Sequence, residues 1–162
     1  MTITEVLRVA IGFMGLAGAI AIVVYDWRAF RIPDFLSLPA IPVGLMLSGS
    51  LLGGASALVA DPWHVVAAIG AAGALYLLRV WYDETRGIEA IGLGDVKLAA
   101  VAGAWVGPTL LPHVFLVASL SALAYGAAVH AWRSDVLQCR IPFGVFLAPA
   151  IWGVWCLADV YG

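Results

Sequence analysis

The chain has 162 residues, 64% of them hydrophobic and only 11% charged, with a mean hydropathy of +1.03. Soluble domains run at roughly 45–50% apolar and about 25% charged residues, so the composition predicts one integral membrane domain over residues 1–162. The formal charge of −2 comes with no basic run and no aromatic-basic face, which excludes a nucleic-acid partner.

Backbone polar groups in lipid must be satisfied within a helix, at about 20 apolar residues per crossing. An all-α bundle of six transmembrane helices is predicted, over roughly 4–25, 35–59, 63–81, 95–106, 110–132 and 142–160. The first apolar run is read as a retained helix. It carries only Arg8 against Glu5, has no Ala-x-Ala site before Asp26, and is followed at once by Trp27, Arg28 and Arg31. Between helices 1 and 2 stands Asp26, then Arg31-Ile32-Pro33-Asp34; proline is tolerated at a helix start. Asp61-Pro62 opens helix 3 in the same way. Helix 4 opens at Gly92-Leu93-Gly94-Asp95-Val96-Lys97-Leu98 and is short for a span, so it either begins within the headgroup layer or bends through Pro108 rather than stopping before Gly107-Pro108. Before helix 6, Asp135 and Arg140-Ile141-Pro142 repeat the spacing of Asp26 and Arg31-Ile32-Pro33.

Arg28, Arg31, Arg79, Arg86, Lys97, Arg133 and Arg140 all fall on one side of this six-helix path. The positive-inside rule makes that side cytoplasmic and puts both termini on the outer side. Trp27, Trp63, Trp81, Trp132 and Trp155 are expected to anchor the interfaces. Cys139 and Cys156 are expected to pack as apolar residues, without zinc or a disulfide. His64, His113 and His130 are scattered, so no metal or other cofactor is expected.

An ionisable residue at membrane depth is a functional-site hypothesis by default. Asp26 and Asp95 both sit at helix ends on the cytoplasmic side, where two carboxyls can share a water. One takes its proton; the other polarises a carbonyl or protonates an amine. Asp95, at a helix N-terminus among glycines, is expected to be the ionised base; Asp26, at a helix C-terminus, the neutral acid. Spacing alone leaves Asp135 as a rival partner for Asp95. Asp34, Asp61 and Asp159 are read as caps or partners of basic residues. Lys97, two residues from Asp95 and so on another helix face, is read as an interface anchor beside the site. A small transporter or scaffold with interfacial aspartates is the alternative from a different class.

Three blocks together resemble the prepilin peptidase (type IV leader peptidase) family of Gly-x-Gly-Asp intramembrane aspartyl proteases. They are Asp26 to Pro39, Gly92 to Gly107, and Arg140 to Leu147. Presenilin-like proteases share Tyr-Asp and Gly-x-Gly-Asp, but their Pro-Ala-Leu signature is missing here. The resemblance implies Asp26 and Asp95 as the catalytic pair, with Gly92, Gly94, Lys97 and Pro33 shaping the site. It implies cleavage of prepilin or pseudopilin leaders at the cytoplasmic face of the bacterial inner membrane, by a multi-pass protein needing no cofactor. The segment from Trp27 to Asp34 has no room for the paired Cys-x-x-Cys insert of bifunctional members, so methyltransferase activity is not expected.

Overall fold

The computed structural model describes residues 3–29, 32–52, 61–87, 91–132 and 142–161. Among them five helices form: α1 (Ile3–Ala29), α2 (Asp34–Leu52), α3 (Pro62–Arg86), α4 (Leu93–Trp132) and α5 (Gly144–Tyr161). The all-α expectation holds, with five elements where six are predicted. The difference lies at Gly107, whose φ of 69° and ψ of −179° are not helical. Pro108 then restarts the helix in its first turn, where its missing N–H costs nothing. The two predicted segments either side of Gly107-Pro108 are therefore two helical stretches, counted together as α4 and divided by a kink at Gly107.

Local chemistry sets the helix ends. The Pro33 carbonyl accepts from the Leu36 and Ser37 N–H groups at 3.1 and 3.4 Å and starts α2. Asp61 caps α3, its Oδ1 accepting from the Trp63 N–H at 3.0 Å, and Pro62 takes the first position. Gly87 ends α3 with φ 62°, its N–H donating to the Asp83 carbonyl at 3.0 Å. α1 continues through Asp26 to Ala29, so Asp26 lies inside its last turn rather than beyond it.

The first half of α4 is the centre of the bundle, with Leu98, Ala99, Ala102 and Ala104 fully buried. Packing, not the hydrophobic effect, drives helix association in lipid, and small residues permit close approach. Gly103 lies so close to the backbone of Ala67 and Ala68 that any side chain would collide with α3. Leu147, Ala148 and Ile151 of α5 join the same core. Two indoles tie the outer helices to it: Trp105 Nε1 donates to the Ala40 carbonyl at 2.8 Å and Trp152 Nε1 to the Gly12 carbonyl at 3.0 Å.

Trp27, Trp63 and Trp81 are exposed near helix ends, as interface anchors should be. Trp155 is not one of them. It lies inside α5, buried, edge-on to Trp105 with ring centroids 5.5 Å apart. Cys156 packs at the edge of the core; Cys139 lies outside the described residues. Three helical stretches, Val9–Arg28, Pro62–Arg86 and Leu93–Val129, are long and apolar enough to cross a membrane.

Candidate active site

Asp26 and Asp95 meet at one end of the bundle, close enough for the charge on one to act on the other. Asp95 is half-buried in the first turn of α4. The Gly92 carbonyl accepts from the Asp95 and Val96 N–H groups at 3.1 and 3.4 Å. The Asp95 carboxyl in turn reaches back to the Gly92 N–H. With no side chain on Gly92, only the N3 half of a capping box is present, and it holds the carboxyl over its own helix start. Gly92 thus serves as the cap.

Asp26 is buried. Its carboxyl faces the start of α5, where the Gly144 and Val145 N–H groups are its donors. Oδ2 is the closely packed oxygen: it makes no hydrogen bond of its own, and a Cβ built on Gly144 would stand 2.6 Å from it. Gly144 therefore lets α5 approach a carboxyl that a larger residue would displace. This contact was not foreseen from the sequence, although Gly144 directly follows Pro142-Phe143 at a helix start.

Between the two carboxyl-bearing regions lies Ile32, buried, with Gly94 on one side and Gly144 on the other. Pro33, half-buried, follows it and caps α2 through its carbonyl. Lys97 does not pair with Asp95: its Nζ donates to Asp34 Oδ1, joining the starts of α4 and α2 as a partly exposed ion pair. Arg79 Nη1 donates to the Ile91 carbonyl at 3.0 Å, tying the loop before α4 to α3. Asp135, Arg140 and Ile141 lie outside the described residues, as does the sequence repeat they form. Among the described residues no three His, Cys, Asp or Glu side chains gather into a metal-ligating group.

One turn from each aspartate along its helix begins an apolar cleft of about 200 Å³, lined among others by Gly15, Gly18, Ile22, Pro39, Leu98 and Trp152. Ile22 precedes Asp26 by four residues and Leu98 follows Asp95 by three, so the cleft runs away from the carboxyls into the apolar part of the bundle.

Comparison with known proteins places this architecture in a family. Residues 13–127 match the type IV leader peptidase family. A prepilin leader peptidase/N-methyltransferase of Burkholderia pseudomallei is 40% identical over 144 residues, covering 86% of this chain and 44% of that protein. Proteins of the same name from Aeromonas salmonicida and Escherichia coli are 38% and 36% identical over 136 and 129 residues. These alignments cover 82% and 77% of this chain, and 44% and 53% of the relatives. The chain spans about half the length of these curated relatives. No solved structure matches it. The chain belongs to the type IV leader peptidase family, and its apolar helices are those of a membrane protein.

Proposed function

We propose that the chain is an intramembrane aspartic endopeptidase. It removes the leader of type IV prepilin-like proteins at the cytoplasmic face of the bacterial inner membrane, as a multi-pass protein. The observation that carries this reading is the placement of Asp26 and Asp95, from helices distant in sequence, at one end of the bundle, where Gly94 beside Asp95 and Gly144 against Asp26 both pack on Ile32. Arg28 and Lys97 lie at that same end, which supports its cytoplasmic placement. A transporter is expected to hold its acids near the midplane, whereas these stand at one end.

The ionised carboxylate takes a proton from a water held between the pair, and the water oxygen attacks the scissile carbonyl carbon. The neutral carboxyl gives its proton to the carbonyl oxygen. The tetrahedral gem-diol returns a hydroxyl proton to the pair as the C–N bond breaks, and the leaving amine takes a proton from the pair, which ends with the single proton it began with. One proton shared by two adjacent carboxyls relieves their like-charge repulsion. A fixed division into base and acid loses its footing. Asp26 ends α1, but it faces the N–H groups of α5, so both carboxyls stand at helix N-terminal amides. The cleft beside the pair is the seat assigned to the apolar segment of the substrate.

The test is cleavage of a prepilin by purified protein. Asp26→Ala and Asp95→Ala are each expected to lower the rate at least about 100-fold. Cleavage kept in Asp26→Ala and lost in Asp135→Ala would transfer the role to Asp135.

A further inference from the structure

Ile32 is buried between glycines of two different helices, each adjacent to a carboxyl. A Cβ on Gly94 would meet Ile32 Cδ1 at 3.0 Å, and Ile32 Cβ and Cγ1 at 3.1 Å. A Cβ on Gly144 would meet the same Cδ1 at 2.9 Å. Gly94 directly precedes Asp95, and Gly144 packs on Asp26 Oδ2. One isoleucine side chain thus touches the starts of both α4 and α5, and its thickness limits how closely each can approach it. A β-branched side chain is stiff at χ1 and keeps that thickness. Its backbone is held as well: the Pro33 carbonyl caps α2, and Asp34 is joined to Lys97 of α4.

We propose that Ile32 is a positioning residue: seated between Gly94 and Gly144, it sets the separation of the α4 and α5 starts and so the spacing of the Asp95 and Asp26 carboxyls. This rests on the peptidase reading. Ile32 has no polar side-chain atom and takes no proton; it acts through the two glycines. Both contacts share Cδ1, while Cβ and Cγ1 also reach Gly94. Valine lacks Cδ1, so Ile32→Val frees α5 and keeps part of the contact to α4. Alanine frees both.

The test measures kcat and KM on a prepilin in detergent micelles, and carboxyl spacing separately. Ile32→Ala is expected to lower kcat by about 100-fold, the scale of a misplacement near 1 Å, with KM changed little because the cleft is untouched. Ile32→Val falls between the two. Gly94→Ala lowers kcat through its collision with Ile32, and adding Ile32→Ala costs less than the sum of the two single losses, since Cδ1 and Cγ1 are then gone. Spacing is read in an Asp26→Cys/Asp95→Cys protein, with Cys139 and Cys156 changed to Ser, by bifunctional thiol reagents of graded length. Ile32→Ala is expected to change the preferred reagent length.

An unchanged kcat in Ile32→Ala, or strictly additive losses in the double variant, would overturn the proposal. An unchanged reagent preference would overturn it too, whether or not the variants are active. If the unsubstituted protein cleaves no prepilin, the peptidase reading falls and the cross-linking still decides the role of Ile32.

Discussion

Adding one methyl group at Gly144 should disable the peptidase without unfolding it. The new Cβ would stand 2.6 Å from Asp26 Oδ2, 3.2 Å from Asp26 Cγ and 2.9 Å from Ile32 Cδ1. An ordinary carbon–oxygen contact is about 3.3 Å, so the carboxyl or the start of α5 must move by about 0.7 Å. Asp26 and Ile32 are both buried, so neither side chain has free space to swing into. Overpacking of this kind costs about 1–3 kcal/mol of stability, while alanine regains up to about 1 kcal/mol of helix propensity over glycine. The net loss of stability is therefore small. The catalytic loss is larger, because a shift of this size in a reacting group costs on the order of 10- to 100-fold in kcat. Gly153→Ala is the control: it lies in the same helix with nothing within 4 Å of the added carbon. The assay is the initial rate of prepilin cleavage at saturating substrate, with thermal unfolding in detergent run alongside. Wild-type kcat in Gly144→Ala, or an equal loss in Gly153→Ala, refutes the reasoning.

Gly103→Ala drives its Cβ into the backbone of Ala67 and Ala68. It should lower stability by about 1–3 kcal/mol, read as a fall in the thermal midpoint, whereas Gly70→Ala, with open space around it, should not. Gly18→Leu places a side chain in the apolar cleft, where nothing lies within 4 Å of its Cβ. Prepilin KM should rise several-fold with kcat nearly unchanged; a loss confined to kcat would count against the cleft as the substrate's seat.

The sequence pattern singled out the proposed pair because an acid in an apolar helix is conspicuous. Asp26 and Asp95 each stood at a helix end, Asp95 directly after glycine, and the structure places both at one end of the bundle. The start of α3 was legible for the same reason, since Asp61-Pro62 is a local cap. What escaped was long-range. Nothing local marks Lys97 as the partner of Asp34, which lies 63 residues away. Nor does anything local mark Trp155 as a core residue rather than an anchor, because an aromatic near a chain end reads alike in both settings. Gly144 was part of a recognised block, but its role depends on a carboxyl from α1. The number of helices turns on Gly107-Pro108, which reads either as a stop or as a bend; the structure has a kink at the non-helical Gly107.

That bend also works as one end of a ruler. Gly107 lies against His64, near enough that an added Cβ would stand 2.7 Å from Nε2, and its positive φ disfavours any side chain there. At the other end Arg79 holds the Ile91 carbonyl. The distance from His64 to Arg79 is about 22 Å along α3, and from Leu93 to Gly107 about 21 Å along α4, at 1.5 Å per residue. Two antiparallel rods of matched length are thus pinned at both ends. Inserting or deleting one residue between the pins would slide Asp95 by about 1.5 Å and turn it by about 100°. Beyond the close contact at Gly103, this adds a constraint on length: the spacing of the pins is counted in residues rather than in side chains.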